Sequence, residues 1–237
     1  MAPAQPPALA PRASSPLERC QFCAARTRCP ISSVNAACPE PLAAAIRERS
    51  FQKHDILQQQ GEVAALLGSV KLGTLQATRR GSDGSERPVA LFSQGHLLGT
   101  YGLLGQRNPL GVRALSSGRL CEIRVADLYR LGRLDPALLR LVHENMAAAH
   151  GHLADWAHVM HSKTVTEQLL LSLQLMALEQ GHPMIRLPSQ QALAALLGSS
   201  RESVSRGLRL LEQQGTLTRA DRWHCRLNAP DKKTRPD

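Results

Sequence analysis

The first half of the chain carries a series of short apolar runs. Representative runs are Leu66–Val70, Val89–Phe92 and Leu120–Val125, and turn signals such as Gly81-Ser82-Asp83-Gly84 separate them. Short apolar segments at regular spacing, divided by glycines, are typical of small antiparallel β structures. The pattern therefore predicts an antiparallel β-barrel or sandwich over residues 40–134.

The period of the apolar pattern changes at Asp135-Pro136. Aspartate is a favoured N-cap and proline fits the first helical position, so we predict a long helix over residues 135–161. Its apolar residues follow at alternating steps of three and four, as in a heptad seam. The seam consists of Leu139, Val142, Met146, Ala149, Leu153, Trp156 and Met160.

This seam can pack on its own chain or on a second copy. We favour a parallel homodimer, because the residues beside the seam are polar and two-fold symmetry suits a palindromic partner. The flanking polar residues are Arg140, Glu144, His150, His152 and Asp155.

The last quarter of the chain has the pattern of a winged helix-turn-helix. Thr164-Val-Thr-Glu167 is a capping box that opens a helix, and Gly181 ends it. Residues 189–214 then carry two helix patterns joined by a tight turn at Gly198. Two alternating segments, Thr216–Arg219 and Trp223–Leu227, follow as a two-stranded wing. We therefore predict a DNA-binding domain over residues 162–230 and a short tail over 231–237.

Charge and composition support a polyanionic partner. The 237 residues carry a formal net charge of +10 and have a pI near 10.0. Basic residues that neutralise phosphates release counterions, which favours binding to double-stranded DNA. The sequence has no apolar run of 18 residues, and residues 1–18 are rich in proline and alanine, so we expect a cytoplasmic protein with a disordered leader and no membrane partner.

The second helix of the helix-turn-helix is the expected DNA reader. An arginine can bind guanine with two hydrogen bonds, and a glutamate can accept one from cytosine. The candidate base-contacting residues are Arg201, Glu202, Ser205 and Arg206. A structural alternative is that Ser199 and Glu202 form a capping box and that the arginines bind phosphates.

The cysteines form the second candidate site, in a segment over residues 19–39. Cys20, Cys23 and Cys29 are closely spaced, and Arg19, Arg26 and Arg28 lie among them. Because a reducing cytoplasm disfavours disulfides, metal ligation explains such spacing better. By spacing alone, Cys38 could complete a zinc site or Cys121 could complete an iron-sulfur site. Cys225 is expected to be a buried hairpin residue.

Taken together, these residues resemble the CRP/FNR superfamily of transcription regulators, and specifically its oxygen-sensing FNR branch. The resemblance rests on the four cysteines with Cys121-Glu122-Ile123, on Gly61-Glu62 through Gly73-Thr74, on the long helix, and on Glu202-x-x-Ser205-Arg206. It implies an α+β fold with a cyclic-nucleotide-binding-like jelly-roll barrel, a dimerisation helix and a winged helix-turn-helix.

The resemblance also implies a function. Cys20, Cys23, Cys29 and Cys121 would hold a [4Fe-4S] cluster, and oxygen would convert the cluster and dissociate the homodimer from DNA. The implied DNA site is similar to the palindrome TTGAT-N4-ATCAA. Activation would use contacts between RNA polymerase and barrel loops such as Gly81–Glu86.

Several residues depart from the pattern of this branch. Arg28 lies beside a cluster ligand where an uncharged residue is usual, and Leu153-Ala154 lacks an acidic residue that can oppose dimerisation. Arg201 resembles the cAMP receptor proteins and suggests tolerance for guanine at the second half-site position. Leu97–Tyr101 and Gly111–Leu115 lack the glutamate and the arginine-serine pair of nucleotide-binding members, so we expect no cyclic nucleotide.

Two other classes of function complete the comparison. One is a zinc-stabilised scaffold that senses a ligand or protein partner and binds DNA without a redox cluster. The other is an enzyme, which we do not expect, because the sequence has no Ser/His/Asp set, phosphate loop or HExxH pattern.

Overall fold

The computed structural model describes residues 20, 23, 26–32 and 44–228. The predicted leader (1–18), Arg19, Cys38 and the predicted tail (231–237) lie outside the described residues. Three parts follow one another along the described chain: a β-barrel, a long helix and a C-terminal helical domain with a small sheet. This mixed α+β architecture is the one that the sequence predicts.

The barrel consists of two four-stranded antiparallel sheets, so the predicted jelly-roll-like arrangement is confirmed. One sheet has the strand order β1-β8-β3-β6 and the other has β2-β7-β4-β5. The bounds are β1 (Arg47–Phe51), β2 (Ile56–Gln58), β3 (Leu66–Leu72), β4 (Leu75–Arg80), β5 (Glu86–Phe92), β6 (Leu97–Leu98), β7 (Gly111–Ala114) and β8 (Gly118–Arg124).

Backbone packing in the barrel requires glycine where β6 ends. Gly99 has a φ of 76°, and a Cβ atom there would collide with the carbonyl oxygen of Leu66 on β3. L-residues with side chains rarely adopt this φ, and the space is filled by backbone. The strand therefore turns here into a 3-10 helix, Thr100–Leu104.

Five α-helices follow the barrel strands within the described residues. Their bounds are α1 (Val125–Arg130), α2 (Pro136–His161), α3 (Val165–Gln180), α4 (Gln190–Leu196) and α5 (Arg201–Gln213). The predicted caps of α2 and α3 are confirmed: Asp135 accepts a hydrogen bond from the amide of Leu138, and Thr164 accepts one from Glu167. Helix α3 ends at Gly181, whose φ is 65°.

The C-terminal sheet has three strands, β9 (Met184–Arg186), β10 (Leu217–Arg219) and β11 (His224–Leu227), in the order β10-β11-β9. The two wing strands are predicted by the sequence, whereas β9 is not. Cys225 lies on β11 and is fully buried, as expected for a structural residue.

Two apolar clusters organise the molecule. The main core runs from barrel residues such as Leu91 through Trp156 on α2 to Leu169 on α3 and onward into the helix-turn-helix. The second, which we name the anchor cluster, joins the cysteine segment to the barrel and the start of α2. It consists of Ile31, Ile46, Leu67, Leu103, Ile123, Val125, Leu128, Leu138 and Val142.

The predicted dimer seam of α2 is only partly available to a second chain. Trp156 is fully buried in the main core and Val142 is buried in the anchor cluster, which corrects their assignment to an interface between chains. The remaining seam residues keep some exposure, and Leu139 is 43% exposed. These are Leu139, Met146, Ala149, Leu153 and Met160. Leucine and methionine at heptad spacing show that a helix is amphipathic, but not what covers its apolar face.

Candidate functional site

Four of the cysteines line one small cavity of about 30 Å³. They come from the N-terminal segment and from the middle of the barrel. The cysteines are Cys20, Cys23, Cys29 and Cys121, and the same cavity is lined by Ile31, Ser32, Ile46, Glu48 and Lys71. The structure thus brings together all four of the residues that the sequence predicts as one ligand set.

The N-terminal segment winds with a three-residue repeat, which explains the cysteine spacing. Successive backbone hydrogen bonds join the amide of Cys23 to the carbonyl of Cys20, that of Arg26 to Cys23, that of Cys29 to Arg26 and that of Ser32 to Cys29. Residues three apart lie on the same side of such a 3-10 type path. Cysteines at intervals of three and six therefore direct their sulfurs to one side.

Cys121 lies on β8, the strand between β1 and β3. The antiparallel register places Cys121 opposite Glu48 on β1 and opposite Ser69 on β3. The thiol of Cys29 lies 3.4 Å from the hydroxyl oxygen of Ser69, to which it donates a hydrogen bond. The segment and the barrel thus meet at Ser69, next to Cys121.

A cation and an anion accompany the thiols. The Lys71 ammonium lies 2.6 Å from Glu48, whose other oxygen lies 2.9 Å from Arg119. Burial raises the pKa of the Cys121 thiol to about 12, and the negative charge of a Cys29 thiolate acts in the same direction, whereas Lys71 acts against both. A metal that binds Cys121 would therefore have to displace the proton of this thiol.

This donor set fits an iron-sulfur cluster. Four thiolates are the usual ligands of [4Fe-4S] clusters, and Lys71 offsets part of their negative charge. The same four cysteines also fit tetrahedral zinc by ligand type, so the chemistry of the donors alone does not separate the two metals.

The second candidate site is the recognition helix α5. Arg201, Glu202 and Arg206 are exposed and Ser205 is partly exposed on one face. The opposite face is buried through Val204, Gly207, Leu208 and Leu211. An exposed polar face near the N-terminus of the second helix is the arrangement that reads base edges in the major groove.

Arginines of the wing extend this polar face. A groove of about 380 Å³ is lined by Arg201 from α5, by Arg219 and Arg222 from the wing, and by Trp223, which is partly exposed. The Arg222 guanidinium carbon lies 4.9 Å from the Trp223 ring centre, a cation–π distance. Three guanidinium groups around one groove favour contact with phosphates.

Comparison with known proteins agrees with both halves of this architecture. Residues 48–134 match a cyclic nucleotide-binding domain, and residues 167–232 match a Crp-like helix-turn-helix domain. The cyclic AMP receptor protein of Thermus thermophilus is 32% identical over 165 residues, which span 67% of this chain and 73% of the relative. The chain belongs to the CRP/FNR family of transcription regulators.

Other family members agree with this assignment. The cAMP-activated global transcriptional regulator CRP of Salmonella typhimurium is 27% identical over 176 residues, which cover 71% of this chain and 83% of that protein. The structure of FixK2 from Bradyrhizobium japonicum has the same fold, with a TM-score of 0.66 at 23% identity over 78% of this chain and 93% of FixK2. These relatives are regulators rather than enzymes, and the chain is a DNA-binding transcription regulator.

Several residues at the two sites escape sequence-based prediction. Lys71 and Glu48 join the cysteine cavity through strand register, and Arg219 and Arg222 join the DNA face through the fold of the wing. For Lys71 and Glu48 the sequence carries no signal, and for Arg219 and Arg222 the only signal is a basic charge near the predicted wing. None of the helices in the described part of the chain has the length and apolar content needed to span a bilayer.

Proposed function

We propose that this family member is a cytoplasmic, oxygen-responsive regulator that holds a [4Fe-4S] cluster on Cys20, Cys23, Cys29 and Cys121. The supporting observation is the convergence of these four thiols on one cavity between the N-terminal segment and β8. With the cluster intact, the protein forms a homodimer on palindromic promoter DNA and activates or represses genes of anaerobic metabolism. Nitric oxide is a second reactive gas that such a cluster would sense.

When bound, the cluster would connect the four thiolates through its iron ions, and oxygen would break this connection. The protein's part is to connect that link to α2. Pro30 and Ile31, directly after Cys29, line a small apolar cavity with Leu138 and Val142 at the start of α2. Holding Cys29 in place thus holds Ile31 in the anchor cluster, which stabilises the first turns of the dimerisation helix.

At the DNA, two α5 helices of a dimer would enter successive major grooves one turn apart. Glu202 and Arg206, with the partly exposed Ser205, would read an FNR-type half-site, TTGAT, and Arg201 would allow guanine at the second position. Loops such as Gly81–Glu86, exposed for most of their length, are where we place contact with RNA polymerase.

The iron and sulfide content of the protein tests the cluster. After purification without oxygen, we expect about four iron and four sulfide ions per chain, and Cys121→Ser should lose them. Cys225→Ser is the matched control, because Cys225 is buried on β11 in the main core, away from the cysteine cavity.

Two results would contradict the proposal. Air-stable zinc with no iron after anaerobic reconstitution would support the zinc-stabilised scaffold instead. Full iron content in Cys121→Ser, with loss in Cys38→Ser, would move the fourth ligand to Cys38.

We also propose that the barrel takes no cyclic nucleotide. A cavity of about 340 Å³ beside β3 is lined by one cation, Arg49, and by the carboxylates Glu62 and Glu122. Arg49 is already paired with Glu122 at 2.8 Å, so a cyclic phosphate would have to compete with a carboxylate. We expect no heat of cAMP binding in calorimetry and no increase in DNA affinity with cAMP; saturable binding would show the opposite.

A further inference from the structure

Three ionisable side chains meet where the barrel, the long helix and the DNA-binding domain join. They are His96 in the turn between β5 and β6, His152 on α2 and Glu179 on α3. One carboxylate oxygen of Glu179 lies 3.0 Å from Nε2 of His96 and 2.8 Å from Nε2 of His152. One ligand atom from each residue lies within 4.8 Å of the others.

The group is largely shielded from solvent and held by its neighbours. The side chains of His96, His152 and Glu179 are 17%, 11% and 12% exposed. The ring of Phe92 stacks on His96 with a centroid distance of 4.4 Å, and the hydroxyl of Ser93 donates to the second oxygen of Glu179 at 2.8 Å. Such supporting contacts orient metal ligands in proteins.

One nitrogen of this group has more partners than a single proton can serve. Nε2 of His152 lies 2.8 Å from the Glu179 carboxylate and 2.7 Å from the carbonyl oxygen of Leu91, which are both acceptors. The indole N–H of Trp156 also donates to it, at 2.9 Å. A protonated Nε2 leaves the indole without an acceptor, and an unprotonated Nε2 faces two oxygens with no hydrogen between them.

We propose that His96, His152 and Glu179 bind a divalent transition-metal ion, with zinc as the best match. Two imidazoles and one carboxylate are a common zinc ligand set. Bonds of about 2.0–2.1 Å in tetrahedral geometry place ligand atoms about 3.3 Å apart, so each histidine nitrogen needs to move only a few tenths of an ångström away from the Glu179 oxygen. A cation bound to both atoms also removes the direct contact between an unprotonated Nε2 of His152 and the Glu179 oxygen.

The two histidines also act on the carboxyl group of Glu179. Burial acts to raise the pKa of Glu179, but hydrogen bonds from His152 and His96 outweigh it and lower the pKa to about 2.

The site would add a metal link to the apolar packing and hydrogen bonds that already join three parts of the molecule. A metal on these residues ties the β5–β6 turn to α2 and to α3, which carries the DNA-binding domain. It would fix the orientation of the recognition helix relative to the barrel. Metal binding by these three residues is independent of the cysteine cavity and does not rest on the iron-sulfur proposal.

Trp156 provides an internal reporter of the site. The chain has two tryptophans, and Trp223→Phe leaves Trp156 as the sole source of indole emission. A metal that takes the lone pair of His152 Nε2 removes the acceptor of the Trp156 N–H, so its emission should change. The experiment is a titration of the full-length Trp223→Phe chain with zinc chloride, followed by fluorescence and by bound zinc after dialysis.

We expect one zinc per chain that changes Trp156 emission and raises the melting temperature. His96→Gln, His152→Gln and Glu179→Gln should each weaken this binding by about tenfold or more. His158→Gln is the matched control, because His158 is exposed on the same helix α2. Cys121→Ser should keep the Trp156 response, which separates this site from zinc on the cysteines.

The proposal is overturned if zinc leaves Trp156 emission unchanged, or if the three variants bind zinc as tightly as the His158→Gln control. His96 lies on a barrel turn, whereas His152 and Glu179 lie in helices. His96→Gln therefore provides the test if His152→Gln or Glu179→Gln does not fold. Circular dichroism of each variant verifies folding before titration.

Discussion

At the N-terminus of the recognition helix, different residues cap the helix and face the DNA. Ser200 is the N-cap of α5, and its side chain accepts a hydrogen bond from the amide of Ser203. The alternative capping box between Ser199 and Glu202 was wrong, because the helix begins one residue later than that spacing requires. Glu202 is exposed and free of a capping role, which leaves it available to a base edge.

Replacing Glu202 with alanine should therefore affect recognition rather than folding. We expect Glu202→Ala to weaken binding to the palindrome by about 1–3 kcal/mol and to relax base preference at one half-site position. Binding to half-site variants and urea unfolding measure the two effects. An equal loss of affinity for every sequence would show that Glu202 does not read a base.

At this scale, the sequence predicts residues whose chemistry is local and misses those that long-range contacts assemble. The interval between Cys20, Cys23 and Cys29 is itself the signal of a shared side, because the segment winds locally. His96 and Glu179, in contrast, are 83 residues apart and meet only after the barrel packs on α3. His152 belongs to the same case, because the sequence shows it only as one of the polar residues beside the seam.

At the scale of elements, helix α2 packs into a different apolar cluster at each of its two ends. Its start packs into the anchor cluster through Leu138 and Val142, and its end packs into the main core through Trp156 and Val159. The surface that is left for a second chain centres on Leu139 and on the partly exposed residues that follow it. A dimer formed there would be sensitive to the position of α2 against the barrel.

A charge on this remaining surface should reduce dimerisation. Leu139 is 43% exposed on α2, and a carboxylate facing its own copy across a two-fold axis would be both desolvated and repelled. We expect Leu139→Glu to shift the protein toward monomer in sedimentation velocity by about tenfold or more in dissociation constant.

Leu178→Glu on α3 is the control, because Leu178 is 73% exposed and lies outside the seam. If Leu139→Glu and Leu178→Glu have the same dimer population as the unchanged chain, the interface lies elsewhere on the molecule.

Two short elements mark where pattern-based prediction of elements ends. The run Leu120–Val125 suggests one strand, but β8 stops at Arg124 and Val125 starts α1, a helix of six residues. Strand β9 consists of three residues after Pro183, and only its pairing with β11 defines it as a strand. Elements this short carry too few residues to show a period, whereas α2, with 26 residues, shows its period and its caps clearly.

For the whole molecule, the anchor cluster is the path by which the cysteine segment reaches the dimer helix. Ile31 is 5% exposed and shares one apolar cavity with Leu138 and Val142. Ile31 offers no ligand atom to a metal but also lines the cysteine cavity, so its substitution tests signal transmission only where iron content is measured beside DNA affinity.

Ile31→Ala should keep the cluster but weaken its effect on the dimer. Loss of a buried isoleucine costs about 2–5 kcal/mol of packing energy, which removes support from the start of α2. We expect unchanged iron content and a several-fold loss of affinity for the palindrome without oxygen. Ile56→Ala, at a site that is 66% exposed, is the control. Normal DNA affinity in Ile31→Ala would show that the segment acts on α2 by another route.

The continuity of the main core affects whether the DNA-binding domain of this protein can be exchanged for that of another regulator. It passes from β5 through Trp156 and Val159 into α3 and the helix-turn-helix without a break at Ser162, where α2 ends. Gln168 also donates to the carbonyl oxygens of Met160 and Ser162 across that point. A DNA-binding domain taken from another regulator would not carry the side chains that pack against β5 and α2 of this protein. Exchange of specificity therefore favours substitutions on the exposed face of α5 over replacement of the domain.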